Sequence, residues 1–145
     1  KWEEVSIVFS GAGAAGEEEI TLTDHHVPLF IYGPKFVTSN KISTPISQID
    51  ILPTLLGLLD FNYESHFYGQ DALNPQYESR FFISNYQKIG YIKNNEQVIL
   101  KPIKQYSIKQ ENNTIINQSL LEEAIAFYQT ASDWRNNIKI KKEHK

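Results

Sequence analysis

Apolar and polar positions follow three different rhythms along this chain, and each rhythm predicts a different kind of element. Residues 5–10 (VSIVFS) and 27–32 (VPLFIY) are nearly unbroken apolar runs, the second closed by Gly33-Pro34. Such runs are expected of strands covered on both faces in an α/β sheet. Between residues 46 and 61 the period lengthens: Ile49, Leu52, Leu55, Leu56 and Leu59 recur at helical spacing and form one apolar stripe. Pro53 decides where that helix begins. With Asp50 as N-cap the proline falls in the first turn, where no intrahelical donor is lost; a start at Ser47 places it deeper and removes a bond. Asp50 is therefore the expected cap.

Residues 62–77 are polar and aromatic without periodicity and read as a loop. From Arg80 the pattern shortens again into RFFISNY, KIGYIK, QVILKPI and KQYSIK. These predict an antiparallel meander with a hairpin turn near Asn94 and Asn95. A last helix follows Asn117. Ser119-Leu-Leu-Glu122 reads as its capping box, and Leu121, Ala124, Ile125, Tyr128 and Ala131 as its buried stripe.

Composition narrows the classes. The chain has 145 residues, 41% hydrophobic and 21% charged, which suits a packed core rather than a disordered segment. A formal net charge of −3 provides no field for nucleic acid. The basic residues of IKIKKEHK at 138–145 read as a solvated end. The absence of cysteine excludes disulfides, zinc-thiolate sites and a thiol nucleophile. No apolar run approaches the ~18 residues that span a bilayer. The sequence contains no methionine and opens at Lys1-Trp2, which reads as a piece of a longer protein. Asn112 and Asn117 begin glycosylation sequons, relevant only in a eukaryotic secretory setting.

One motif invites a direct reading. Gly11-Ala-Gly13-Ala-Ala-Gly16 matches G-x-G-x-x-G after a strand-like run. A dinucleotide site needs the third glycine to open a crossover helix whose amides hold the pyrophosphate. Ten residues, 17–26, precede the next strand; they carry no helical stripe, and Glu17, Glu18 and Glu19 put negative charge beside the supposed anion. Lys35 stands where the ribose-binding acid belongs. A small-residue turn fits better. A P-loop fails for want of Gly-Lys-Ser/Thr, Ser10 is not centred in G-x-S-x-G, and no H-E-x-x-H occurs.

HHVPLFIYGPK, STPISQIDILPTLLGLLDF and YGQDAL carry more information. They resemble the C-terminal part of the sulfatase-like branch of the alkaline phosphatase superfamily, and within it the membrane-anchored group of lipoteichoic acid synthase and related phosphoglycerol transferases. FFISNYQKIGYIKNNEQVIL and AIAFYQTASDW extend the resemblance, which runs from about residue 5 to 134. It implies the C-terminal portion of an alkaline-phosphatase-like α/β sandwich. Residues 1–75 would supply the end of the sheet with a PTLL-type helix, and 76–145 a small antiparallel sheet and closing helix. It further implies a parent enzyme that transfers or hydrolyses phosphate or sulfate esters at a divalent metal (Mn, Mg, Zn or Ca), on the outer side of a cytoplasmic membrane. The metal would stabilise charge on the transferred group and activate the attacking oxygen. The expected partners are the N-terminal part of the same catalytic domain and a small-molecule or lipid-head-group ester, with no nucleic acid.

The resemblance also implies what this chain lacks. The nucleophile and its acidic metal ligand lie upstream in the family, and an Asp-His ligand pair ends the strand that resembles VSIVFS. Here Gly11 to Ala14 stand in that place, and none of these side chains binds metal. Residues 11–16 thus read as a lost or replaced metal-binding turn, and the isolated segment is expected to have no catalytic residue and no metal of its own. A non-catalytic binding module or pseudoenzyme with the same fold is the alternative, and an unrelated α+β domain the plainest one.

His25 and His26 are weak metal-ligand candidates at a strand start, with packing or hydrogen bonding as their ordinary role. Asp50 is expected to cap a helix rather than catalyse, and Asp71, after Gly69, to form a turn. Tyr63, Phe67, Tyr68, Tyr77, Phe81 and Phe82 read as a satellite core beneath the loop, or else as a surface for a sugar or lipid head group.

Overall fold

The two leading apolar runs pair with each other. Strands β1 (Ser6–Phe9) and β2 (Leu29–Tyr32) lie antiparallel, Ser6 opposite Tyr32 and Phe9 opposite Leu29. On β2, Leu29 and Ile31 are half-buried, while Phe30 is 62% and Tyr32 66% exposed. The expected cover on both faces is therefore not found for β2: one face is bare. The computed structural model describes residues 6–9, 26–35, 37–66, 68–85, 87–109 and 117–143, with backbone alone at 6–9, 109 and 136–143. The chain divides into two units, Lys1–Asn85 and Tyr86–Lys145.

In the first unit the helix starts where Pro53 suggests, but a 3-10 turn precedes it. Gln48–Asp50 form a 3-10 turn that runs into α1 (Ile51–Leu58). Ser47, extended at φ −82° and ψ 152°, is the cap of that turn; Asp50, at φ −84° and ψ −13°, is already helical. Asp50 thus stands at the N-cap position of α1, as expected, but its side chain makes no cap bond to that helix and serves the preceding 3-10 turn instead. It occupies the third position of the turn, and its Oδ2 reaches back to accept from the Ser47 amide at 3.1 Å, as the acidic member of a capping box does. Pro53 has no amide hydrogen to offer the Ile49 carbonyl. The Gly69 backbone packs against that carbonyl so closely that a Cβ there would run into it.

The helix closes with a Schellman motif. Phe61 N–H donates to the Leu56 carbonyl and Asp60 N–H to that of Gly57, both at 3.0 Å. Asp60 takes the left-handed position, φ 56°, usually held by glycine. The stripe is only partly covered. Leu55 and Leu59 are buried and Leu56 half-buried, but Ile49 is 40% and Leu52 45% exposed, while Pro53 and Thr54 are buried instead. Strand β3 (Arg80–Ser84) ends this unit's regular structure.

The second unit is built on β4 (Ile89–Lys93), β5 (Glu96–Lys101) and β6 (Gln105–Lys109), an antiparallel meander. Lys93 opposes Glu96 across the expected Asn94-Asn95 turn, whose φ values of 53° and 63° are those of a primed hairpin turn. Residues 102–104 turn β5 into β6, with Lys101 opposite Gln105. Tyr91, Ile92, Val98 and Ile99 are buried on the sheet, Tyr91 with its partner Val98 on one face and Ile92 with Ile99 on the other. Leu120, Leu121 and Ala124 are buried on α2 (Gln118–Glu143), which packs on β5. The Tyr91 and Phe127 rings meet at 5.6 Å.

Two expectations for α2 need correction. Asn117 is its cap, not Ser119: its Oδ1 accepts from the Leu120 amide at 3.2 Å, while its Nδ2 donates to Glu96 Oε2 at 2.6 Å. The face turned to the sheet is Leu120, Leu121, Ala124 and Phe127, whereas Ile125, Tyr128 and Ala131 are exposed. Apolar residues recur at helical spacing along two neighbouring lines of this helix, and the sheet takes the one through Leu120. The fold class is the expected α/β, with an antiparallel sheet and a closing helix. No helix among the described residues is long and apolar enough to cross a membrane.

Candidate functional site

The chemistry of the first unit converges on Asp50, whose side chain is 0% exposed. Oδ1 accepts from the Gln70 amide at 2.8 Å, and Oδ2 from the Ser47 amide and, at 2.8 Å, the Tyr77 hydroxyl. Arg80, 3% exposed at the start of β3, donates from Nη1 to both oxygens at 3.1 and 3.0 Å and from Nη2 to Oδ1 at 3.2 Å. Nη2 also donates to the Tyr68 carbonyl at 2.7 Å. Thr54 adds a second strand to the knot, donating to the Asp50 carbonyl at 2.7 Å and accepting from the Ala72 amide at 2.9 Å. Helix α1, the loop at 68–72 and the first residue of β3 are thereby tied to one carboxylate.

That carboxylate is spent. An ionised acid so buried needs a counter-charge and donors on most of its lone pairs, and it has both. It has neither exposure nor spare lone pairs to act as a base or to bind an external cation. Its work is to position the loop. Burial pushes the Tyr77 hydroxyl above its ordinary range, and the hydrogen bond to Asp50 adds to this while Arg80 opposes it. The Nε of Arg80 is buried without a hydrogen-bond partner among the described residues.

The other residues singled out by sequence behave differently. Asp71 forms the expected turn: its Oδ1 accepts from the Leu73 amide at 2.9 Å and its carbonyl from the Asn74 amide at 3.1 Å. A Cβ on Gly57 would meet the Asp71 carboxylate, so the turn seats directly on α1. His26 is exposed; His25, Phe67 and the glycine run at 11–16 lie outside the described residues. Tyr63 and Tyr68 are exposed, whereas Tyr77, Phe81 and Phe82 are half-buried. No three His, Asp or Glu side chains converge to hold a metal ion among the described residues, and Asp50 is saturated, so these residues do not fit a metal centre. Sequence reasoning missed Arg80 and Thr54. Arg80 left a trace: it is one of two arginines in a chain that otherwise uses lysine, and it opens an apolar strand. Arginine is the residue suited to gripping a buried carboxylate with several donors.

No protein-family model matches the chain, and no curated protein matches it. Among solved structures it is similar to the crystal structure, at 1.95 Å, of a protein in the alkaline phosphatase superfamily from Vibrio parahaemolyticus. The TM-score is 0.79 at 23% identity, over 92% of this chain and 35% of that one. The fold is that of a C-terminal part of an alkaline-phosphatase-like protein. At this identity the likeness speaks for the fold, and the chain spans about a third of its neighbour's length.

Proposed function

We propose that this chain is the C-terminal part of a metal-dependent sulfatase-like or phosphoglycerol-transferase-like enzyme acting on phosphate or sulfate esters. On this reading a divalent cation (Mn, Mg, Zn or Ca) is held by residues of the parent outside those described here. The parent works on the outer side of a cytoplasmic membrane, and its ester substrate is a small molecule or a lipid head group. The reading is supported by one observation above all: the phrases that carry the resemblance meet at one carboxylate within a fold of that superfamily. Asp50 comes from ISQID, the Tyr68 carbonyl, Gly69 and the Gln70 amide from YGQD, and Arg80 from the strand that follows. The segment itself supplies scaffold and one wall of a cleft, and by itself performs no catalysis.

The test compares this chain with the polypeptide extended by the rest of its domain. Both are assayed on bis(p-nitrophenyl) phosphate and p-nitrophenyl sulfate with each of the four cations, with and without chelator. The expected result is chelator-sensitive turnover by the extended protein and none by the 145 residues. Ester binding by the extended protein without turnover under any cation would instead make it a non-catalytic binding module.

A further inference from the structure

The stripe on the first helix is continuous in sequence but not in cover. Leu55 and Leu59 close onto the unit's interior, while Ile49 and Leu52, on the same line, stand 40% and 45% exposed. Beside Leu52 lies an open depression of about 400 Å³ lined by Gln48, Ile51, Leu52 and Leu55. Strand β2 shows the same inversion, with Phe30 and Tyr32 outward on one face of a sheet of two strands. A two-stranded ribbon is marginal alone and gains stability from a third strand or a covering layer. Exposed apolar groups gathered on regular elements mark an interaction surface.

We propose that these two faces, Ile49 with Leu52 on the helix and Phe30 with Tyr32 on β2, are seats for another segment of the same α/β domain, carried outside residues 1–145. The proposal rests on the reading of the preceding subsection. Two observations choose this occupant. The chain matches 35% of its structural neighbour while 92% of itself is used, so most of that larger protein has no counterpart here. None of the residues on these faces carries a charge, which suits an apolar strand or helix rather than an acidic or basic peptide.

Leu52→Glu and Tyr32→Glu, with the milder Leu52→Gln should the charge block folding, are made in the 145-residue chain and in the polypeptide extended by the adjoining domain sequence. In the short chain the positions are already wet, and Tm should move by less than about 2 °C; in the extended protein it should fall by about 5 °C or more. With the two parts mixed as separate chains, Leu52→Glu should raise the Kd at least about tenfold. Equal small effects in both proteins would overturn the proposal. So would a dimer of the short chain that Leu52→Glu dissociates, since the occupant would then be a second copy. A gene encoding no further domain sequence would overturn it too. Ester hydrolysis by the extended wild type is scored separately. Inactivity with the stability difference present removes the enzymatic reading and keeps the seat; activity without that difference does the reverse.

Discussion

The two units of this chain solve opposite problems. The second buries Tyr91, Ile92, Val98, Ile99, Leu120, Leu121 and Ala124, where the Tyr91 hydroxyl is a buried polar atom in otherwise apolar company. The first buries Ser47, Asp50, Thr54 and Arg80 against Leu55, Leu59 and Ile83, and turns Phe30, Tyr32, Ile49 and Leu52 outward. One unit draws its stability from non-directional apolar burial; the other holds its loop in place with directed, charge-assisted bonds. A polar interior stabilises little unless every member is satisfied, but it fixes geometry, which apolar contacts alone do not do for a loop.

The contrast is broken most forcefully at its centre. Asp50→Ala leaves the Arg80 guanidinium buried without its counter-charge and should cost about 3 to 5 kcal/mol, read by urea unfolding with hydrogen exchange resolving the two units. Asp50→Leu combined with Arg80→Met should recover only part of that loss, because the charge is gone but the Ser47 and Gln70 amides and the Tyr77 hydroxyl still lose their acceptor. In the second unit Leu121→Ala should cost about 2 to 5 kcal/mol through its cavity, read by urea unfolding. Gly69→Ala drives a methyl into the Ile49 carbonyl and should cost about 1 to 3 kcal/mol while loosening the 68–72 loop.

Tyr77→Phe tests the same carboxylate through pH. The mutant should lose about 1.5 kcal/mol at neutral pH. In the wild type the folded chain holds the Tyr77 proton more tightly than the unfolded one. Stability should therefore be level below the ordinary tyrosine value of about 10 and fall as pH rises above it, and the substitution should remove that slope. The smallest effect is a gain: Asp60→Gly relieves a left-handed aspartate and should add about 0.5 to 1 kcal/mol by thermal melting.

What was legible in the sequence was local. Asn94-Asn95 between two apolar runs announced its hairpin because both residues tolerate the positive φ that a primed turn demands. Asp71 announced its turn for a similar reason: the side chain reaches its own backbone. Pro53 announced the start of α1, but the 3-10 turn ahead of it was not legible, because Asp50 at its end is held from Gln70, Tyr77 and Arg80, far along the chain. The face of α2 was misread because two apolar lines run side by side on it, and the sheet makes the choice. Arg80 as the partner of Asp50 was illegible, since nothing in the residues between them encodes their meeting.

Asp50 also sets an order of events for folding. Its side chain closes loops of 20, 27 and 30 residues, to Gln70, Tyr77 and Arg80. Closure entropy grows only as the logarithm of loop length, so the first of these contacts bears nearly all of the cost and the others follow at little extra. The stretch from 70 to 80 should therefore dock in one step and leave in one step. Hydrogen exchange at the Gln70 and Ala72 amides should then report a single opening rather than two.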